Sequence, residues 1–164
     1  MPLDRDRDLA GRPRNARPRD GLGRPLPHGA RGSVDRVPDE LAIPLADAVE
    51  LAQRYLDTDR PFHAHEVLEA LWKSRPPTER DLWQGLAQIA VGITHALRGN
   101  PTGAMSLLER GSDRLRDYRG ASHGIAVEAV LAQTGQLVES LRDGTDAWPQ
   151  EPERFRVHLT AVRN

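Results

Sequence analysis

The apolar side chains between residues 38 and 144 recur every three or four positions, a spacing typical of amphipathic helices. Residues 45–57 carry the first such run, which predicts a helix that ends near residue 57. A second run begins at Pro61 and ends before Pro76, because proline is tolerated in the first turn of a helix and disrupts its interior. The pattern therefore predicts two helices before residue 77.

The third predicted helix differs from the others in its lack of charge. Thr78 and Asp81 have the spacing of a capping box, which predicts a helix start at this point. The helix extends to about Leu97, and residues 82–97 contain no formally charged side chain. Because a solvent-exposed helix normally carries charge on its outer face, we expect this helix to be surrounded by protein.

Two further helices follow a short connection at residues 99–101. Asn100 is a favourable N-cap residue, and the proline after it suits the first helical position. Gly111 lies inside the fourth helix at a cost of about 1 kcal/mol relative to alanine, which indicates a crowded crossing. Gly85 and Gly92 in the third helix would also permit a close approach. Short connections favour antiparallel neighbours, so the predicted fold is all-α, a compact bundle of about five helices built from antiparallel hairpins.

The N-terminal arm, residues 1–36, is rich in Arg, Pro and Gly and has no apolar period. It carries nine Arg and five Asp, a charge of +4, while the rest of the chain carries −5 and the whole chain −1. Such a basic arm can bind nucleic acid through phosphates. Its interspersed acids and lack of aromatic residues instead favour a disordered, solvated segment, so we do not expect nucleic acid as a partner.

The domain division that follows is a disordered arm at 1–36, a helical domain at 37–144 and an irregular C-terminal extension at 145–164. Apolar and polar residues alternate near Phe155, and without a partner strand we expect an extended tail on the helices, anchored by Trp148.

The chain has no cysteine, no apolar run as long as the ~18 residues of a membrane span, and no apolar stretch typical of a signal peptide. We therefore expect a cytoplasmic protein with no membrane contact.

Two polar stripes are the candidates for chemistry. One lies beside the apolar face of the second helix, and the other lies on the uncharged third helix. If the helices bring these stripes together, they line a single polar cleft, whose candidate residues are His65, Glu66, Glu69, Trp72, Gln84, Gln88 and His95.

Several functions remain open for such a cleft. Its polar groups can simply fix the helix register, or they can bind an unknown protein or a small polar ligand in a non-catalytic binding or adaptor module. The alternative is a metal-assisted hydrolase that uses His65, Glu69 and His95, with Glu66 or Glu69 as base. The zinc motif H-E-x-x-H is broken because Glu69 stands where its second histidine belongs. We therefore expect no cofactor, with a metal as the alternative.

The leading hypothesis is the binding module, because residues 64–69 and 104–109 share a pattern that suggests repeated helical hairpins. The third hypothesis is that the Arg-rich arm binds nucleic acid. A homo-oligomer is a further alternative, since Gly85 and Gly92 would suit a dimer contact as well as an internal crossing.

The segments FHAHEVLEALW and WQGLAQIAVGITHALRGNPTGAMSLLERGSDRL resemble the prokaryotic family called domain of unknown function 309. The resemblance covers residues 45–142 and implies a compact bundle of about five helices. It implies no reaction, cofactor or partner, and it assigns no residue a function. The residues that carry it are Phe62, His65, Glu66, Glu69, Trp72, Gln84, Gly85, Gln88, His95, Gly99, Asn100 and Ala104.

Overall fold

The structure, a computed structural model, describes residues 18–27, 30–32, 37–38, 41–144 and 152–161. It contains five α-helices, which are α1 (Leu45–Asp57), α2 (Pro61–Ser74), α3 (Arg80–Leu97), α4 (Pro101–Asp117) and α5 (Val127–Arg142). Helices that follow one another in the chain pack together, and no strand forms among the described residues. The predicted all-α bundle is thus confirmed. None of the helices in this part of the chain has the length and apolarity that a bilayer crossing requires.

Helix α3 lies at the centre of the bundle, between α2 and α4. Twelve of its 18 residues are buried, among them Trp83 and Leu86. Because α3 is buried on opposite sides by α2 and α4, an ionised side chain on those sides would lose its hydration. This burial explains why residues 82–97 carry no charge. The prediction of a helix surrounded by protein is confirmed.

The crossing of α3 and α4 is made by glycines. A Cβ atom on Gly85 would lie 3.0 Å from the carbonyl oxygen of Gly111, and one on Gly92 would lie 2.9 Å from Cγ of Leu108. These distances leave no room for a side chain between the two helices. The crowded crossing predicted from the sequence is therefore confirmed, and it is a contact within this chain.

Asn100 caps α4 as predicted, and its side-chain Oδ1 accepts a hydrogen bond from the backbone N–H of Gly103 at 3.0 Å. We expect Asn100→Ala to lower the free energy of unfolding by about 1 kcal/mol, because an N–H group of the first turn then loses its acceptor. Chemical denaturation followed by circular dichroism measures this change. Ser106→Ala, at an exposed position in the same helix, serves as the control and should change stability by less than about 0.5 kcal/mol. Equal effects of the two substitutions would contradict the capping role.

The predicted capping box at the start of α3 is wrong. Residues 77–79 form a 3₁₀ turn, and α3 begins at Arg80 without a side-chain cap. Thr78 is exposed, and Asp81 instead pairs with Arg114 of α4, with Nη1 and Oδ1 2.8 Å apart. Glu79 occupies the N-cap position of α3, but its carboxylate accepts hydrogen bonds from Arg75 and Trp83 rather than from the N–H groups of the first turn.

The N-terminal arm is described at residues 18–27 and 30–32. A tight turn at residues 20–23 lies against α2, with Gly23 facing the ring of Phe62. The carbonyl oxygen of Leu22 accepts hydrogen bonds from the Arg98 guanidinium after α3. The predicted disordered arm also includes residues 1–17, 28–29 and 33–36, and these lie outside the described residues.

Residues 152–161 lie along α1 and α5. The Gln53 side chain of α1 donates a hydrogen bond to the carbonyl oxygen of Val157 at 3.1 Å and accepts one from the N–H of Leu159 at 2.7 Å. Gln133 of α5 accepts a hydrogen bond from the N–H of His158 at 2.9 Å. Two glutamine side chains thus satisfy backbone groups that have no sheet partner. Trp148, the predicted anchor, lies outside the described residues.

Candidate functional site

A small pocket lies between α2 and α3, with a volume of about 120 Å³. It is open to solvent at one side. Five of the seven candidate residues line it, and Ala87 and Val91 provide the apolar part of its wall. The predicted residues that the structure brings together here are His65, Glu69, Trp72, Gln84 and Gln88.

Helical spacing explains why these side chains converge. On α2 the lining residues are His65, Glu69 and Trp72, at intervals of four and three. On α3 the same intervals separate Gln84, Gln88 and Val91. Residues at this spacing lie on one helix face. Since α2 and α3 pack against each other, the two faces enclose the pocket.

The charged groups of the pocket form a short chain along α2. His65 Nε2 lies 3.4 Å from Glu69 Oε2, and Lys73 Nζ lies 2.8 Å from Glu69 Oε1. Burial lowers the pKa of His65, and the Glu69 carboxylate only partly opposes this effect. Burial thus favours the neutral form of His65, and the Lys73 ammonium lies beside the Glu69 carboxylate.

Gln88 contributes a polar atom with no protein partner. Its Oε1 is buried and accepts no hydrogen bond, although buried amide oxygens in proteins are nearly always paired. Leaving such an acceptor unpaired costs roughly 1–3 kcal/mol. A group that donates a hydrogen bond from within the pocket would remove this cost.

Two of the predicted residues do not line the pocket. His95 lies in the last turn of α3, where its Nδ1 is 3.0 Å from Nδ2 of Asn100, so its ring holds the α3–α4 corner. Glu66 is half-buried on α2. The three ligands of the metal hypothesis, His65, Glu69 and His95, are thus not brought together. Within the described ranges, no group of three or more His, Asp or Glu side chains is placed to hold a metal ion.

A second polar cluster, which the sequence pattern did not predict, surrounds Glu79. Its carboxylate accepts two hydrogen bonds from the Arg75 guanidinium, both at 2.8 Å, and one from Trp83 Nε1 at 2.9 Å. His123 Nε2, from the loop before α5, lies 3.1 Å from Glu79 Oε1. These contacts join the α2–α3 corner to the α4–α5 loop.

The same contacts explain the electrostatics of Glu79. Its pKa falls from the ordinary value of 4.5 to about 2, mainly through the hydrogen bonds from Arg75, with further contributions from Trp83 and His123. Burial acts in the opposite direction and is outweighed. The spacing of Arg75, Glu79 and Trp83 at intervals of four was visible in the sequence. His123 was not predictable, because it is distant in the chain.

Comparison with known proteins supports the resemblance. Residues 49–107 match the family described as Domain of unknown function (DUF309), and the resemblance drawn from the sequence is confirmed over this segment. The uncharacterized protein YpuF of Bacillus subtilis (strain 168) is 37% identical over 82 residues. The aligned part covers 49% of this chain and 44% of that relative, so the chain spans less than half the relative's length. No solved structure matches the chain.

Proposed function

We propose that this chain, whose residues 49–107 match the domain of unknown function 309, is a non-catalytic binding module. Its binding site is the pocket between α2 and α3. The ligand is a small polar molecule, or the side-chain end of a partner protein, that donates hydrogen bonds. The observation that carries this proposal is the buried Gln88 Oε1, which lacks a partner at a pocket lined by two converging polar stripes.

The size of the pocket limits what can enter it. A cavity of about 150 Å³ holds a benzene molecule, which has six carbon atoms, so a pocket of about 120 Å³ accommodates a group of about five non-hydrogen atoms. A peptide segment or a nucleotide is too large to enter whole. The proposal is therefore that one functional group inserts while the rest of the ligand remains outside.

The chemistry of the lining favours a hydrogen-bond donor. Gln88 Oε1 is an unfilled acceptor, and the Glu69 carboxylate at the rim is a second acceptor. Trp72 offers an aromatic surface on which a cationic or amide group can rest. An ammonium, a guanidinium or a primary amide satisfies these three features, whereas an ionised carboxylate has no hydrogen to donate to Gln88 Oε1.

Proton-transfer chemistry is less well supported by the same residues. Lys73 holds the Glu69 carboxylate at 2.8 Å, and the described lining residues include no serine, threonine, cysteine or lysine that His65 could activate as a nucleophile. A catalytic pair would normally require a base oriented by a third group next to a nucleophile. The arrangement instead supports recognition.

The test is a titration of the full chain with methylammonium, acetamide and acetate, followed by the NMR signals of the Trp72 indole and the glutamine side-chain amides. We expect saturable shifts with methylammonium and acetamide and none with acetate. Gln88→Leu should weaken binding at least about tenfold, the effect of losing one hydrogen bond of about 1.4 kcal/mol. Its stability should be unchanged or higher, because leucine removes an unpaired buried acceptor.

Gln136→Leu is the matched control, since Gln136 is exposed on α5, away from the pocket, and this variant should bind like the parent. If donor probes give no saturable shift, or if Gln88→Leu binds them as well as the control, the proposal is wrong.

The hydrolase alternative has its own measurement, which is the metal content of the parent and of His65→Ala. Stoichiometric metal that is lost in His65→Ala would favour that alternative over the binding module.

A further inference from the structure

The charge at the pocket between α2 and α3 is balanced by the chain itself. Glu69 is the only acid among the described residues that line the pocket, and none of these is a lysine or an arginine. Lys73, one turn further along α2, places its Nζ 2.8 Å from Glu69 Oε1. Burial favours the neutral form of His65. A cationic ligand would therefore compete with Lys73 for Glu69, whereas a neutral ligand would not.

Lys73 suits this role because it carries its charge on a single nitrogen atom. It is the only lysine among the 23 lysine and arginine residues of the chain. A guanidinium can pair with both oxygens of a carboxylate, whereas an ammonium acts as a point charge. Lys73 therefore compensates Glu69 at Oε1 and leaves Oε2 beside His65 Nε2, 3.4 Å away. The carboxylate keeps an oxygen that can accept a hydrogen bond from a neutral ligand.

The α3 wall of the pocket contains two side-chain amides, those of Gln84 and Gln88. An amide of this kind carries a carbonyl acceptor and an NH₂ donor side by side. The acceptor of Gln88, Oε1, is buried without a partner. An ammonium or guanidinium ligand could donate to this oxygen, but it has no acceptor to offer the NH₂ group beside it. A ligand that both donates and accepts complements the whole Gln88 amide.

We propose that the ligand group that enters this pocket is a primary carboxamide, an inference that rests on the binding function proposed above. Its NH₂ group donates a hydrogen bond to Gln88 Oε1, and its carbonyl oxygen accepts one from Gln88 Nε2. Because a carboxamide is uncharged, the ion pair between Lys73 and Glu69 stays in place. Lys73 is a positioning residue for this selectivity, because it acts on the ligand only through Glu69.

The size and symmetry of a carboxamide agree with the pocket. Acetamide has four non-hydrogen atoms, and a pocket of about 120 Å³ accommodates about five. Rotation of the Gln88 amide by 180° exchanges its donor and acceptor, and a carboxamide ligand can turn with it and keep both hydrogen bonds. The carboxamide belongs either to a small molecule or to a glutamine or asparagine side chain of a partner protein, and the experiment distinguishes these sources.

The experiment compares acetamide with methylammonium by NMR titration of the full chain at pH 7 and constant ionic strength, and it follows the Gln88 side-chain amide signals. We expect acetamide to bind at least about tenfold more tightly, the effect of one additional hydrogen bond. If neither probe binds saturably, the proposed binding function fails together with this inference. If methylammonium binds as tightly as acetamide, or more tightly, the binding function stands and the carboxamide inference is overturned.

Lys73→Gln tests the origin of the selectivity. Without the ammonium the charge of Glu69 is uncompensated, so methylammonium should bind about threefold more tightly, within the range of an exposed ion pair, and acetamide should bind as before. The Lys73 side chain is 57% exposed, so this substitution leaves the core intact. Arg110→Gln removes the same charge at an exposed position of α4 and should leave both affinities unchanged. If the two variants change the affinity ratio equally, or not at all, the role of Lys73 is overturned.

Short peptides in the same assay identify the source of the carboxamide. Gly-Gln-Gly carries the carboxamide on a peptide, and Gly-Glu-Gly, with a carboxylate in its place, is the matched control. Competition with acetamide by Gly-Gln-Gly and not by Gly-Glu-Gly would indicate the side chain of a partner protein. Binding of acetamide without competition from either peptide would indicate a small molecule. Equal competition by both peptides would overturn the proposal, because the side-chain amide would then not be the group recognised.

Discussion

Replacing Gly111 with alanine is expected to lower the free energy of unfolding by about 2 kcal/mol, although alanine is the better helix former. A Cβ atom on Gly111 would lie 2.6 Å from the carbonyl oxygen of Gly85 and 2.7 Å from Cγ1 of Ile89. The first of these contacts is with backbone, which cannot rotate away. Overpacking of this kind costs up to about 3 kcal/mol, and the gain in helix propensity offsets about 1 kcal/mol.

Gly135→Ala is the matched control for this prediction. Gly135 also lies inside a helix, α5, but a Cβ atom there would meet nothing within 4 Å. We therefore expect this variant to be more stable than the parent, by up to about 1 kcal/mol. Denaturant unfolding followed by circular dichroism measures both changes. If Gly111→Ala is as stable as Gly135→Ala, the close crossing of α3 and α4 does not exist as described.

The second large effect is expected for Glu79→Gln, which should lower the free energy of unfolding at pH 7 by about 2 kcal/mol. A pKa lowered from 4.5 to about 2 corresponds to a ceiling of roughly 3 kcal/mol, and solvent near the carboxylate reduces this value. Glutamine has nearly the same shape as glutamate but carries no charge. Its NH₂ group is itself a donor and would face the N–H donors of Arg75 and Trp83, with which it cannot form hydrogen bonds.

The stabilisation by Glu79 depends on pH with a definite sign. Because folding lowers the pKa of this carboxyl group, its contribution is complete above the unfolded value, near pH 4.5, and is lost as the pH falls toward 2. The stability difference between the parent and Glu79→Gln should therefore be constant near neutral pH and shrink below about pH 4.5. Unfolding measured over this range gives the difference directly.

Glu139→Gln is the control for Glu79→Gln. Glu139 pairs with Arg142 on the exposed face of α5, with Nη1 and Oε1 3.2 Å apart, and exposed pairs contribute less than about 1 kcal/mol. A small effect at neutral pH is expected for it. If Glu79→Gln behaves in the same way, the hydrogen bonds to Arg75 and Trp83 do not stabilise the fold.

The helices and their order were determined by the sequence alone. A helix depends on contacts between residues three and four positions apart, and these interactions leave a local record in the spacing of apolar residues. The central position of α3 was predictable because its residues 82–97 lack charge. The N-cap at Asn100 and the glycine crossing near Gly111 were also predictable from the sequence. Each of these features requires a particular residue type at one position, and that residue is visible in the sequence.

The site required the tertiary structure. Periodicity placed His65, Glu69 and Trp72 on one face of α2 and Gln84 and Gln88 on one face of α3, but it did not show that these faces meet. Their convergence depends on how α2 and α3 rotate and cross, which the packing of the whole core decides. The same geometry leaves His95 outside the pocket, about two turns along α3 from Gln88.

Contacts between distant parts of the chain also depended on the tertiary structure. His123 lies 3.1 Å from Glu79, and Leu22 accepts hydrogen bonds from Arg98, although no local pattern relates either pair. Such pairs form only when packed helices bring their ends and loops together. Sequence therefore determined which faces this protein can bury, and the mutual packing of its five helices decided which polar groups meet at a site.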